Sequence, residues 1–536
     1  MMKKYFIICI FLLPVISANA QREGTWWHFG YNVGFDFTEV FNGNATYPKA
    51  ICNAPLRQNE GVFSISDKNG NWLMSSDGKN VYTPGSIKGA TFPLPTNSAD
   101  GDFSINKNNI LFGNSSATQS GIMCPVPGET SLYYIFTIDD KQSNPRKGIN
   151  YSIIDLAANN GIGELVTGKI NKSVTYGYQK NSLTERYTAA NVMENITLTP
   201  SSDGNYWLVS IFGSHFHAWK VTKDGVSDTP VLSLSSYEFA STTSSNSYRG
   251  GLGHIRISAD GTRIAYAIDQ ASNTTPVGVF GTAFFNNSTG EVTSSKHATK
   301  NIAAYGVEFS PSNEWLYLTN MGSAGFIKFS DLANGSMNNY RNMITTGEFN
   351  AVMGPKGIMY MIVRGSSTLY TIDDPNNPDT AVPANTYKAH PNFFACGGAS
   401  VYPFNGLPNF MPSFFLVKAL TGPTELCTGA EGEFILEAEQ GTSGYGAEYI
   451  EWDMGDNTKY YTGDHPLADP STKPWPTDNL HKIKHTYTSS GIKTIRTNPY
   501  NSNGLMPDKE VTLNITVKDC VTYIYINPHL RAKIIQ

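Results

Sequence analysis

Six stretches of this sequence repeat one grammar: a polar turn, an apolar strand, a short break and a second strand-like run. They are Ser66-Asp67-Lys68-Asn69-Gly70-Asn71-Trp72-Leu73-Met74, Pro127-Gly128-Glu129-Thr130-Ser131-Leu132-Tyr133-Tyr134-Ile135-Phe136 and Ser202-Asp203-Gly204-Asn205-Tyr206-Trp207-Leu208-Val209. The others are Ser258-Ala259-Asp260-Gly261-Thr262-Arg263-Ile264-Ala265-Tyr266, Ser310-Pro311-Ser312-Asn313-Glu314-Trp315-Leu316-Tyr317-Leu318 and Gly354-Pro355-Lys356-Gly357-Ile358-Met359-Tyr360-Met361-Ile362. Asp-Gly and Asn-Gly turns suit tight hairpins, because glycine takes positive φ without a side-chain clash. Spacings of about 45–75 residues match a four-stranded blade with variable loops. Such a unit cannot bury both faces alone, so units of this kind stack around an axis. Strand-like runs at 26–37 and 397–404 flank the six units. If those two ends share one blade, the ring has seven blades, in preference to six or eight. Pairing its ends would also remove exposed sheet edges. The expected fold class is all-β: a seven-bladed β-propeller over 21–412, followed by an Ig-like β-sandwich.

Composition supports strands over long surface helices. Charged residues are 15% and aromatics 12%, with 49 Gly. Few charges, many aromatics and frequent glycine favour strands and tight turns. The formal net charge of −5 gives no basic footprint for nucleic acid. At the N-terminus, Lys3 and Lys4 precede a short apolar stretch, and Ala18-Asn19-Ala20 offers small residues for cleavage before Gln21. Residues 1–20 read as a signal peptide, too short in its apolar part to span a bilayer. The expected location is exported: periplasm, outer-membrane surface or extracellular. No later run approaches a membrane span. Beyond the leader stand Cys52, Cys124, Cys396, Cys427 and Cys520, an odd number that permits at most two bridges. Cys427 and Cys520 bracket the C-terminal segment and are expected to pair. The remaining three read as buried thiols.

The shift toward Pro, Phe and small residues over 408–423 reads as a linker, with 413–424 as its expected span. From about residue 425 the pattern turns to period-two alternation. The runs Gly24-Thr25-Trp26-Trp27-His28-Phe29-Gly30, Ser115-Ser116-Ala117-Thr118-Gln119-Ser120-Gly121-Ile122 and Gly406-Leu407-Pro408-Asn409-Phe410 together resemble the exported propeller module common in Bacteroidetes. The individual turns resemble WD-like and TolB-like repeats. Glu451-Trp452-Asp453-Met454-Gly455-Asp456 and His485-Thr486-Tyr487-Thr488-Ser489-Ser490-Gly491 resemble the two signatures of a PKD domain, which commonly follows that module. This resemblance covers 425–520 and leaves 521–536 as a tail. It implies a buried Trp452, a sharp turn at Gly455, and structural roles for Asp453, Asp456, His485, Tyr487 and Gly491.

Candidate chemistry is thin. His215 and His217 share one face of a strand, without a third zinc ligand at a recognisable interval. Asp373-Asp374-Pro375-Asn376-Asn377-Pro378-Asp379 is oxygen-rich but lacks EF-hand spacing. Gly251-Leu252-Gly253-His254-Ile255-Arg256 lacks a Walker lysine. The run 201–207 is one residue short of a sialidase Asp box, and no nucleophile elbow is present. No catalytic, cofactor or metal residues are assigned. The expected function is a non-catalytic binding or scaffold protein, with propeller loops contacting a glycan or an envelope or surface protein and the PKD-like domain as spacer. A secreted propeller hydrolase and a structural subunit of a surface assembly are the alternatives. Long insertions at 83–114 and 234–248 are the expected binding loops.

Overall fold

The computed structural model describes residues 22–42, 44–88, 103–106, 110–174, 179–180, 185–186, 191–239, 251–270, 277–396, 401–415, 419–423, 425–438, 447–468, 473, 475–476, 480–501, 504–505 and 511–520. The proposed leader, the tail and much of both long insertions lie outside them. The described residues divide into two compact units, one up to residue 415 and one from residue 419.

In the first unit, six small antiparallel sheets follow one another along the chain, and each begins with its innermost strand. Those strands are Phe63–Ser66, Gly121–Pro125, Thr197–Pro200, Leu252–Ile257, Ala304–Phe309 and Phe349–Met353. Each packs beside the next, which orders the sheets as consecutive blades. The inner strands are buried almost throughout, whereas the outermost strand of the fourth blade, Val292–Lys300, is largely open to water. These strands carry buried polar residues between their apolar ones, among them Ser64, Arg256, Glu308 and Asn350, which take their partners from within the ring.

The hairpin turns explain the repeated grammar. Asp67 Oδ1 accepts the backbone N–H groups of Asn69 and Asn71, while Gly70 sits at φ +88°. Asn313 fills the left-handed position in the fifth blade without glycine, as asparagine can.

The seventh blade comes from both ends of the unit. Trp26–Phe29, Val33–Asp36 and Lys49–Ile51 form its sheet. Tyr31 then exchanges backbone hydrogen bonds of 2.9 and 3.2 Å with Tyr402. Trp27 locks this blade to its neighbour, its ring 5.8 Å from Tyr360 and 5.2 Å from Phe410. The ring of seven blades is closed.

Two sequence expectations need correction. Cys52 and Cys396 are not thiols but a disulfide, with Cα atoms 5.3 Å apart; Cys124 alone of the three is a buried free cysteine. Ring closure brings together two residues 344 positions apart that no local spacing connects. Residues 408–411, linker-like in composition, are buried, in keeping with the expected 21–412 span of the ring. The expected linker is what needs correction. Within 413–424, Ala419–Thr421 pairs with Glu431–Glu437.

The second unit is a β-sandwich. One sheet joins Ala419–Thr421, Glu431–Glu437 and Leu480–Thr486. The other orders Glu425–Cys427, Val511–Lys518, Gly491–Asn501, Tyr449–Asp453 and Lys459–Gly463. Phe434, Ile450, Trp452, Ile495 and Ile515 fill the space between them. Cys427 and Cys520 are bridged, with Cα atoms 5.3 Å apart.

Candidate functional site at the mouth of the ring axis

The chain after Tyr402 enters the axis of the ring. Asn405 N donates to Asn59 O, Asn409 N donates to Val62 O, and Leu407 N donates to Asn350 Oδ1. The Asn409 side chain reaches three other blades. Its Nδ2 donates to the carbonyls of Gly121 (3.0 Å) and Ile196 (3.2 Å). Its Oδ1 accepts from Arg256 Nη1 and from Gln119 Nε2. Arg256, 2% exposed, also pairs with Glu308 at 3.4 Å, so this buried cation is matched on two sides. Leu407, Phe410 and Met411 fill the remaining space. The axis holds side chains of the protein itself.

The starts of the six inner strands share one face of the ring, called here the upper face. Just before them stand Glu60, Gln119, Glu194 and Glu348, with Tyr305 at the start of the fifth. Glu194 is buried, and three donors hold its carboxylate: Thr118 N (2.8 Å), Thr118 Oγ1 (2.9 Å) and Lys141 N (2.8 Å). The Tyr305 hydroxyl stands 3.4 Å from both Glu60 Oε2 and the Asn405 carbonyl oxygen. Burial raises the proton affinity of Glu60 and Glu194 well above the usual carboxylate range, and the Glu194 charge raises Glu60 further. Burial also pulls Lys141 down to about 8, against the pull of Glu194.

Beside this acidic mouth lies a strip of half-buried aromatics. Tyr31 stacks on Phe404 with centroids 5.2 Å apart and packs on Tyr402 at 5.0 Å. Arg57 covers the Tyr31 ring at 4.6 Å, and Arg364 covers Phe404 at 4.2 Å while pairing with Glu348 at 3.3 Å. The guanidinium groups occupy the aromatic faces that a sugar ring would otherwise stack on.

The acid–base balance gives a testable pH profile. Glu60 and Glu194 bind protons more tightly folded than unfolded, so their contribution to stability falls as pH rises above the ordinary 4.5. His28, which burial lowers to about 3, and His254, lowered likewise, act in the opposite sense. Their unfolded forms take up protons below 6.5, so stability is lost as pH drops through that value. The two effects oppose between 4.5 and 6.5; above 6.5 the carboxylates dominate, and Lys141 begins to oppose them as pH nears 8. The denaturation midpoint of the ring should therefore fall between about pH 6.5 and about pH 8, by up to ~1.4 kcal/mol per unit per group. Glu60→Gln should flatten that limb in pH-resolved denaturant titrations; an unchanged slope would refute the assignment.

The residues singled out in the sequence fall elsewhere. His215 and His217 are buried inside the third blade, and His217 stacks on Phe212 at 3.7 Å. Among the described residues, no group of His, Cys, Asp and Glu is placed to hold a metal ion. Asp373 is held by Tyr47 (2.7 Å), Lys388 (2.6 Å) and Thr371 (2.9 Å), and Asp379 caps the backbone of Ala381 and Val382. The Gly251 to Arg256 run is the inner strand of the fourth blade, where Arg256 meets Asn409.

In the sandwich, Trp452 is fully buried and its indole donates to Thr462 Oγ1 at 3.0 Å. Asp453 Oδ1 accepts from Gly455 N, at φ +75°, where a Cβ would meet Thr494 backbone atoms at 2.6 Å. Asp456 contacts His485 at 2.8 Å, His485 contacts the Tyr460 hydroxyl, and the Tyr487 hydroxyl donates to Met454 O. Gly491, at φ +120°, opens the long strand Gly491–Asn501. These groups pin turns and strands to one another.

Sequence reasoning missed Glu60, Glu194, Tyr305 and Glu348. The available signal was positional: when the units are aligned on their inner strands, polar residues recur just ahead of Phe63, Gly121, Thr197 and Phe349.

No protein-family profile matches this chain, and no curated protein matches it. Among solved structures, it is similar to the extracellular domain of BT4673 from B. thetaiotaomicron, assigned to a one-component system. That likeness has 11% identity and a TM-score of 0.28, covering 92% of this chain and 56% of that one. The dihydro-heme d1 dehydrogenase NirN matches at 9% identity and a TM-score of 0.26, over 74% and 67% of the two chains. NanB sialidase from Streptococcus pneumoniae matches at 9% and 0.20, over 75% and 69%. At these TM-scores none of the likenesses carries a functional argument.

Proposed function

We propose that this is an exported, non-catalytic binding protein whose upper ring face engages a protein of the cell envelope or surface, with the PKD-like sandwich as spacer. The observation that carries the reading is the axis itself. Residues 405–411 fill it, which leaves the upper face as a binding surface with no route into the ring. That face combines carboxylates with arginine-covered aromatics, a mixture suited to protein contacts. Two disulfides support export, since such bonds persist in oxidising compartments. Among the described residues, no helix is long and apolar enough to cross a membrane.

A hydrolase is the second reading, favoured by the proton-holding Glu60 and Glu194 beside Tyr305. Against it, Glu194 is fully engaged by its three donors, and Tyr305 is 3% exposed. Arrays of purified envelope proteins and glycans, run beside a broad hydrolase panel, test both readings on the full chain. Arg57→Glu with Arg364→Glu should weaken any protein capture at least ~10-fold. Lys68→Glu, on the opposite turns, should leave it unchanged. Turnover in the panel that Glu60→Gln abolishes would replace binding with catalysis.

A further inference from the structure

We propose that the guanidinium of Arg57 receives a side-chain carboxylate of the protein ligand, so that the upper face selects an acidic segment of that ligand. This rests on the reading of the upper face as protein-binding and names the chemistry recognised there. Arg57 lies across from Tyr31, with Asn32 N donating to Leu56 O and Gln58 N donating to Gly30 O on either side of the pair. Tyr31 is itself fixed by its backbone exchange with Tyr402 and by its hydroxyl, which donates to Asn59 Oδ1 at 3.0 Å. The guanidinium therefore rests over a ring held in place, 4.6 Å from its centroid.

A cation held in that way keeps its N–H donors. Attraction to a ring face uses the flat side of a guanidinium, whereas its N–H bonds lie in the plane and remain for an acceptor. Among the described residues, no carboxylate and no hydrogen-bond acceptor meets the Arg57 side chain, which is partly open to water. Arg146, Arg256 and Arg364, by contrast, are paired with Asp139, Glu308 and Glu348. A planar fork so placed takes a carboxylate through two parallel N–H···O bonds, and the ring beneath it leaves little side-chain freedom to lose on binding. The charge of the seam agrees. Phe404 stacks on Tyr31 at 5.2 Å and carries Arg364 at 4.2 Å, so Arg57, Arg364 and Glu348 together leave a net positive charge there. Glu60 and Glu194 subtract little from it below neutral pH, since burial keeps their protons on. An acidic sugar would find the faces of Tyr31 and Phe404 already covered, which leaves only its charge to be bound.

The test uses the full chain and an end-capped hexaglutamate peptide as probe, with hexaglutamine as the neutral control and oligogalacturonate as the acidic glycan, followed by isothermal titration calorimetry below neutral pH. Saturable binding of hexaglutamate is expected, at least ~10-fold tighter than that of either comparison ligand. Arg57→Gln should weaken it at least ~10-fold, and Arg57→Lys, which keeps the charge and loses the planar fork, should restore only part of the loss. Arg57 meets its neighbouring strand through backbone atoms, so both variants should keep the seam, as circular dichroism would show. Should Arg57→Gln unfold, Arg364→Gln decides in its place: it frees Glu348 to repel the probe and should weaken binding at least ~3-fold. No saturable heat with hexaglutamate, equal binding of hexaglutamine, equal or tighter binding of oligogalacturonate, or undiminished affinity in folded Arg57→Gln or Arg57→Lys would overturn the proposal. The broader reading fails separately. If hexaglutamate binds through Arg57 while Arg57→Glu with Arg364→Glu leaves protein capture intact, the carboxylate site stands and the upper face is not the protein-binding surface.

Discussion

Asn409→Leu is expected to lower the stability of the ring by about 3–5 kcal/mol, because leucine fills the same space while abandoning four polar partners. The carbonyls of Gly121 and Ile196 would lose their donor. Arg256 and Gln119 would lose their acceptor. All four lie where water is excluded, and each buried group left unmatched costs about 1–3 kcal/mol before relaxation. Arg256 keeps Glu308, which limits the total. Since the two units are separate, the signal should be confined to the ring. Urea titration of the full chain, followed by tryptophan fluorescence, should show the ring transition moved to lower urea and the sandwich transition unmoved. A loss below about 1 kcal/mol would mean that the axis segment rests in the ring without tying its blades together.

That segment also marks the boundary of what the sequence disclosed. Hairpin turns were legible because they are local: a left-handed residue such as Gly70 or Asn313 is required within four or five positions of the strands it joins. Blade order and the sharing of the last blade follow from counting such turns. The axis contacts are different in kind. Gly406-Leu407-Pro408-Asn409-Phe410 is short, proline-containing and apolar, which is also the composition of a linker. Only the closed ring brings Asn409 beside Arg256, 153 residues away, and Gln119, 290 away. The carboxylates of the mouth were hidden for the same reason. Glu60, Glu194 and Glu348 are ordinary loop residues in sequence, and the ring turns them into neighbours. The short motifs that did stand out proved to be structural: His215 and His217 are buried within the third blade, and the Asp373 loop ties the sixth blade to its neighbours through Tyr47 and Tyr317.

Removing the Cys52–Cys396 bridge should destabilise the ring by about 2–5 kcal/mol, more than removing Cys427–Cys520 destabilises the sandwich. A cross-link acts largely by restricting the unfolded chain, and the restriction grows with the loop it closes. The first bridge spans 344 residues and the second 93, nearly two doublings. At about 0.6 kcal/mol per doubling, the difference in chain entropy is about 1 kcal/mol. Position adds to this. Cys52 follows the outer strand of the closing blade, and Cys396 follows the end of the sixth, so the bridge fastens the outside of the seam. Tyr31 with Tyr402 fastens its upper edge, and Asn409 fastens its centre. Cys52→Ala with Cys396→Ala therefore leaves a ring still closed at two levels but free to open from its rim. Its urea midpoint should drop, and protease cleavage at the seam should quicken. Cys427→Ala with Cys520→Ala should leave the ring transition where it was. If the first pair of substitutions leaves the ring midpoint unmoved, the non-covalent contacts at the axis hold the seam by themselves.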